Sequence, residues 1–154
     1  MEHEFFMREA IREAQAAAAL GETPVGAVVV RAGEIVGRGH NLRETIKDPT
    51  AHAEMIAIRQ ASETLGGWRL IGCTLYVTLE PCIMCAGAMV LARLPALVFG
   101  AFDPKAGAVG SVMNVLAEAK FNHQVAVTGG VLAPECGALL TSFFQELRLR
   151  SERR

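Results

Sequence analysis

From Cys73 to Gly100 the chain reads CTLYVTLEPCIMCAGAMVLARLPALVFG, and no other stretch restricts the possible folds as much. Cys73–Leu79 has the β-branched and aromatic content of a strand, Cys82–Arg93 reads as a helix, and Ala96–Gly100 as a short apolar strand. A helix between two strands makes parallel pairing the default, because an antiparallel return needs only a turn. A β-α-β unit is therefore expected at the centre of the chain.

Upstream, Met7, Ala10, Ile11, Ala14, Ala17 and Ala18 recur at helical spacing between Phe5 and Leu20, and Gly21 supplies a stop. PVGAVVVRAGEIVGRGHN places two β-branched runs either side of Ala32-Gly33, which predicts a hairpin with Val25–Val30 as its buried strand. Asp48-Pro49-Thr50 ends the next loop and offers Thr50 as the N-cap of a helix reaching about Leu65, closed by Gly66-Gly67. Downstream, Ala101–Asn122 fits loop or short helix equally well, and Val125–Thr128 reads as a last strand. A final helix starts near Pro134, with Leu139, Leu140, Phe143, Phe144 and Leu147 on one face. The expected fold is α/β, with three α/β/α layers around a mixed sheet of about five strands.

A chain of 154 residues, 51% of them hydrophobic, has the size of one domain, 1–154, around one core. Fifteen basic against sixteen acidic residues give a net charge of -1, so any site for a polyanion must be local. The opening MEHEFFMREAIREA carries acids where a signal peptide needs a basic head, and Arg93 and Pro95 break the longest apolar run, Cys85–Phe102. A cytoplasmic protein with no membrane partner is expected. Four cysteines in a reducing compartment seldom form disulfides, which leaves Cys82 and Cys85 as metal ligands, redox groups or core filler.

Two helix starts carry ligand-type residues, AHAEM after Thr50 and PCIMC after Glu80. Cys82 and Cys85 stand at i and i+3, so their sulfurs share a face, and a helix N-terminus favours the thiolate form that a metal requires. His52 and Glu54 stand at i and i+2, about 200° apart on a regular helix, which argues for different jobs. His52 with two thiolates is a soft N/S set that suits zinc and leaves a fourth tetrahedral position for water. Zinc lowers the pKa of such a water towards about 7, and Glu54 is placed to accept its proton.

Neither motif decides the matter alone, since Cys-x-x-Cys also serves redox and core roles and acids are common at capped helix starts. Together they form the pattern of zinc deaminases acting on nucleobases. A purely structural zinc would need a fourth ligand from Cys73, Cys136, His40 or His123, and both cysteines read as core thiols among apolar neighbours.

PVGAVVV, DPTAHAEMIAIRQA, TLYVTLEPCIMCAGAM and VFGAFDPKAGAVGS extend this likeness over nearly the whole chain, which resembles the bacterial tRNA-specific adenosine deaminases of the zinc-dependent cytidine/deoxycytidylate deaminase superfamily. The resemblance implies a cytidine deaminase-like fold, one Zn2+ per subunit held by His52, Cys82 and Cys85, and Glu54 as the proton-shuttling acid. It implies that the wobble adenosine of a tRNA anticodon stem-loop is converted to inosine with release of ammonia. Asn41 falls on a position that contacts the flipped base, although an Asn after His40 also suits a turn. Asp103, Lys105 and Asn122 fall on loop positions that approach RNA, as do Phe144 and Arg148 on a basic, aromatic last helix that also carries Arg150, Arg153 and Arg154.

Phe102 stands where many members have Arg, Ala106 where Thr is common, and Gln145-Glu146 where a basic residue is frequent, so RNA affinity and range are where this chain departs from its relatives. The family forms homodimers, and the small residues of CAGAMVLA serve either the chain's own sheet or a partner. Two other readings remain open at this stage, a deaminase of a free base such as guanine or cytosine and a non-catalytic zinc-stabilised RNA-binding module.

Overall fold

Ala32 and Gly33 both take positive φ, 51° and 79°, the backbone of a two-residue hairpin turn. The computed structural model, which describes residues 2–153, joins β1 (Gly26–Arg31) to β2 (Glu34–His40) through that turn. The predicted central unit forms as β3 (Cys73–Leu79), α3 (Ile83–Leu91) and β4 (Ala96–Ala101), and β3 and β4 pair in parallel. A short β5 (Ala126–Thr128) adds a further parallel edge, giving the order β2-β1-β3-β4-β5 with β1 antiparallel to both neighbours.

Period-two burial then sorts the side chains into two layers. Ala27, Val29, Leu75, Val77, Leu97 and Phe99 face α2 (Ala53–Leu65) and α3, while Val28, Val30, Tyr76 and Val98 face α1 (Glu2–Ala19) and α4 (Ala133–Glu152). The architecture is the expected three-layer α/β/α with a mixed five-stranded sheet. Alanines along one face of α2 let it lie close on β2, and at Gly39 an added Cβ would fall 2.4 Å from the Ala53 carbonyl oxygen. This contact fixes the start of α2 against the end of β2.

Several boundaries differ from the sequence reading. Thr50 does not cap α2; its hydroxyl bonds Asp48 Oδ1 at 2.7 Å, and His52 is the N-cap, with extended backbone. Cys82 likewise precedes α3 as its N-cap, and that helix ends at Leu91, before Arg93, which adopts φ 60°. The leucine and phenylalanine stripe of α4 divides between two grooves, and of this helix only Cys136 is fully buried, so the second half stands out from the core. Arg154, expected in the basic tail, lies outside the described residues. Among the described residues, no helix is long and apolar enough to cross a membrane.

Candidate metal centre and active-site cavity

The antiparallel and parallel registers bring the end of β2, the start of β1 and the ends of β3 and β4 to one edge of the sheet. Ligands in open α/β sheets gather at such an edge, beyond the carboxyl ends of the parallel strands. A cavity of about 470 Å³ opens there. His52, Glu54 and Cys82 line it, as do Asn41, Asp103, Lys105 and Phe144.

His52 Nδ1 lies 3.6 Å from Cys82 Sγ and 3.7 Å from Cys85 Sγ, and the three ligand atoms fall within 4.8 Å of one another. An ion bound tetrahedrally at ordinary zinc–sulfur and zinc–nitrogen lengths requires S···N edges of about 3.6 Å, so the group could hold a metal as it stands. His52 comes into reach because it precedes α2: its extended backbone (φ -78°, ψ 152°) removes the 200° separation that a regular helix would impose between it and Glu54. The four groups named as candidate fourth ligands lie elsewhere. Cys73 and Cys136 are buried in opposite core layers, His40 bonds Glu13 and His123 bonds the Leu94 carbonyl.

The charges of the site are strongly perturbed. The Cys85 thiol donates to Cys82 and pulls it down to about 3, with burial opposing and His52 adding to the fall. The same bond, reinforced by burial, pushes Cys85 up. Cys82 is thus the readier thiolate of the pair, and a thiolate is the form that a metal ligand requires. Glu54 is 4% exposed, and burial raises its carboxyl above the usual range, which suits a group that carries a proton.

Asn41 is 4% exposed, and its side chain already serves the fold. Its amide donates to the Thr23 carbonyl at 3.2 Å, and its Oδ1 accepts the Arg43 amide at 3.1 Å. That is the turn-forming role the residue type allows, yet one N–H and one lone pair remain for a ligand. Asp103 likewise accepts from the amides of Lys105 and Ala106.

Phe144 and Leu140 close one side of the cavity, and exposed Phe102, T-stacked on Phe99 at 5.1 Å, forms another part of its mouth. Arg148 is exposed on the same helix and does not line the cavity. Asn122 lies before β5, beside the start of β4, whereas the cavity lies beyond the end of β4, roughly 16 Å along the strand. The structure thus brings together His52, Glu54, Cys82, Cys85, Asn41, Asp103, Lys105 and Phe144, and leaves Asn122 and Arg148 outside.

Two buried acids escaped the sequence reading. Glu22 accepts from the amides of Glu44 and Thr45 and from the Thr45 hydroxyl, anchoring the loop that carries Arg43 to the mouth. Glu80 accepts from the amides of Asp103, Val109 and Ser111 and from the Ser111 hydroxyl. Glu22 stands two residues before Pro24, ahead of β1, and Glu80 directly before Pro81, just after β3, a faint signal without knowledge of the loop each meets. Arg43 itself, a cation at the mouth, carried no motif.

Comparison with known proteins agrees with this geometry. The MafB19-like deaminase family matches residues 1–148. The tRNA-specific adenosine deaminase of Bacillus subtilis (strain 168) is 58% identical over 149 residues, covering 97% of this chain and 92% of that protein. The enzyme of the same name from Aquifex aeolicus (strain VF5) is 50% identical, covering 96% of this chain and 97% of the relative. A solved structure from work on A-to-I editing by tRNA:A34 deaminases superimposes with a TM-score of 0.85 at 43% identity, over 88% of this chain and 99% of its own. Near-full-length identity at this level, on one fold with one His/Cys/Cys group, places the chain in the tRNA-specific adenosine deaminase family, among the MafB19-like deaminases.

Proposed function

We propose that this protein hydrolyses the wobble adenosine of a tRNA anticodon loop to inosine, releasing ammonia. The observation that carries the reading is a buried carboxylate, Glu54, in one cavity with a His/Cys/Cys group spaced for a tetrahedral ion. His52, Cys82 and Cys85 would hold one zinc ion, whose chemistry when bound is to activate water at neutral pH. Glu54, not a ligand, takes the water's proton and delivers it to the adenine ring; C6 gains oxygen and loses its amino group as ammonia.

Asn41 offers its remaining N–H and lone pair to the flipped base. Phe144 provides a stacking face, and Lys105 and Arg43 supply cations for the backbone. Asp103 shapes the loop between them. Arg148, on the exposed half of α4, meets the stem beyond the cavity. Asn122 can reach an RNA seated here only along a longer stretch of stem or from a second copy. A homodimer is part of the proposal, supported by Ile83 and Leu91, which project from α3 at 60% and 71% exposure. Sedimentation at equilibrium measures it, and a monomer at micromolar concentration would remove that part.

The function is tested by incubating zinc-loaded protein with a synthetic anticodon stem-loop bearing a wobble adenosine, and following inosine and ammonia. Inosine at that position, with free guanine, cytosine and adenine untouched, is the expected result. Turnover confined to free bases would overturn the RNA substrate, and RNA binding without any ammonia would overturn catalysis.

A further inference from the structure

Glu80 stands between the metal-ligand turn and the segment that forms one rim of the cavity. It directly follows β3, it is 2% exposed, and Pro81 and Cys82 come next. Its Oε1 accepts the Asp103 amide at 3.0 Å and the Ser111 hydroxyl. Its Oε2 accepts the amides of Val109 and Ser111, both at 3.0 Å. A carboxylate has about four lone-pair directions, so these bonds use its acceptor capacity and leave none for a substrate. Main-chain bonds run alongside, from the Glu80 amide to the Ala101 carbonyl and from the Ala108 amide to the Pro81 carbonyl, both 2.8 Å. Gly107 permits the close approach: a Cβ there would lie 2.3 Å from the Glu80 carboxyl carbon. The segment so held, 102–106, brings Phe102, Asp103 and Lys105 to the mouth.

We propose that Glu80 is a positioning residue for RNA recognition, one that sets the height of the 102–106 rim above the Cys82–Cys85 turn and acts on the substrate only through that rim. The inference rests on the RNA-deaminase reading and deepens it. Glu80 governs how tightly the anticodon loop is gripped, while the hydrolytic step is left to Glu54 and the ion.

Glu80→Gln keeps the shape but must turn an NH2 group towards at least one amide donor, that of Asp103 in one orientation and those of Val109 and Ser111 in the other, which weakens the clamp. Gly107→Ala displaces the same rim while leaving Glu80 and every proposed RNA contact chemically intact, and Ser111→Ala removes a single bond. Each variant is measured for bound zinc, for stem-loop Kd by fluorescence anisotropy, and for KM and kcat of inosine formation.

Glu80→Gln and Gly107→Ala are expected to raise Kd and KM about tenfold, and Ser111→Ala a few-fold, with kcat and zinc content within twofold of the parent. A merely structural role would lower zinc content and kcat together at unchanged KM, and that result overturns the inference, as does an unchanged Kd in folded, zinc-loaded variants. In either case inosine production by the parent protein leaves the RNA-deaminase reading standing. If the parent neither binds nor deaminates the stem-loop, that reading fails and this inference falls with it. Should Glu80→Gln not fold, Gly107→Ala and Ser111→Ala decide alone.

Discussion

The floor of the cavity is assembled from two helix starts, each only a few residues long, whereas its rim comes from three segments far apart in the chain. On the floor, His52, Glu54, Cys82 and Cys85 sit within the caps and first turns of α2 and α3, and the sheet edge brings the two starts together. Around the rim, the loop after β2, the loop after β4 and the exposed half of α4 meet without sharing a hydrophobic core. Two buried carboxylates hold the loops in its place: Glu22 anchors 44–45, and Glu80 anchors 103–111. Under the proposed function, chemistry would be fixed by short-range geometry and recognition by hydrogen bonds that each span about twenty residues or more.

If that division is sound, damage to the floor abolishes turnover without loosening RNA, and damage to the rim does the reverse. The largest effect is expected for His52→Ala or for removal of the ion by a chelator. Inosine formation should fall by on the order of a thousandfold or more, with zinc lost by elemental analysis. Both core layers are closed by apolar packing, so far-UV circular dichroism should stay native-like; global unfolding on chelation would instead make the ion structural. Next, Glu54→Gln should lower kcat by about 10²–10⁴-fold while bound zinc and stem-loop Kd stay at parental values. A large loss of zinc in that variant would make Glu54 a ligand and erase the distinction between its job and that of His52.

On the rim, Phe144→Ala removes a stacking face worth about 1–3 kcal/mol per base, so RNA should bind about tenfold or more weakly at unchanged kcat. Arg148→Ala should weaken binding a few-fold and reduce the salt slope by about one, the mark of a single phosphate contact; an unchanged slope would remove this residue from the interface. The smallest effect concerns Glu22. Burial alone would raise its carboxyl, but the Thr45 hydroxyl and the amides of Thr45 and Glu44 outweigh it and hold the group below its ordinary value of 4.5. Its folded-state value lies below its unfolded one, so its contribution to stability is present above about pH 4.5 and fades as pH falls through the lowered value. The melting temperature of the parent should drop more steeply below pH 4.5 than that of Glu22→Gln, by about 2 °C; parallel curves would show that the carboxylate does not anchor the loop.

Local spacing made the floor readable. The i, i+3 cysteines and the His-x-Glu motif lie within single turns, where geometry follows from the chain's own pitch, and the β-α-β unit followed from the same regularity. Local inference misplaced helix ends: Thr50 is not a cap, because its hydroxyl bonds Asp48 and His52 is the N-cap instead, and α3 runs from Ile83 to Leu91 rather than from Cys82 to Arg93. Glu22, Glu80 and Arg43 could not be read in advance, since nothing beside them in sequence reveals which amides or which opening they meet.

The amino-acid sequence alone therefore determined the three-layer fold, the donor set for an ion and the acid beside it, because strand alternation, helix pitch and helix starts are short-range consequences of residue order. Only the tertiary structure decided that His52 and Glu54 face one cavity, that α4 leaves the core halfway along, and that two buried carboxylates hold the rim. Those facts depend on which distant segments meet at the sheet edge, and partners drawn from distant segments are set by packing and hydrogen-bond satisfaction, which leave no periodic trace in the chain.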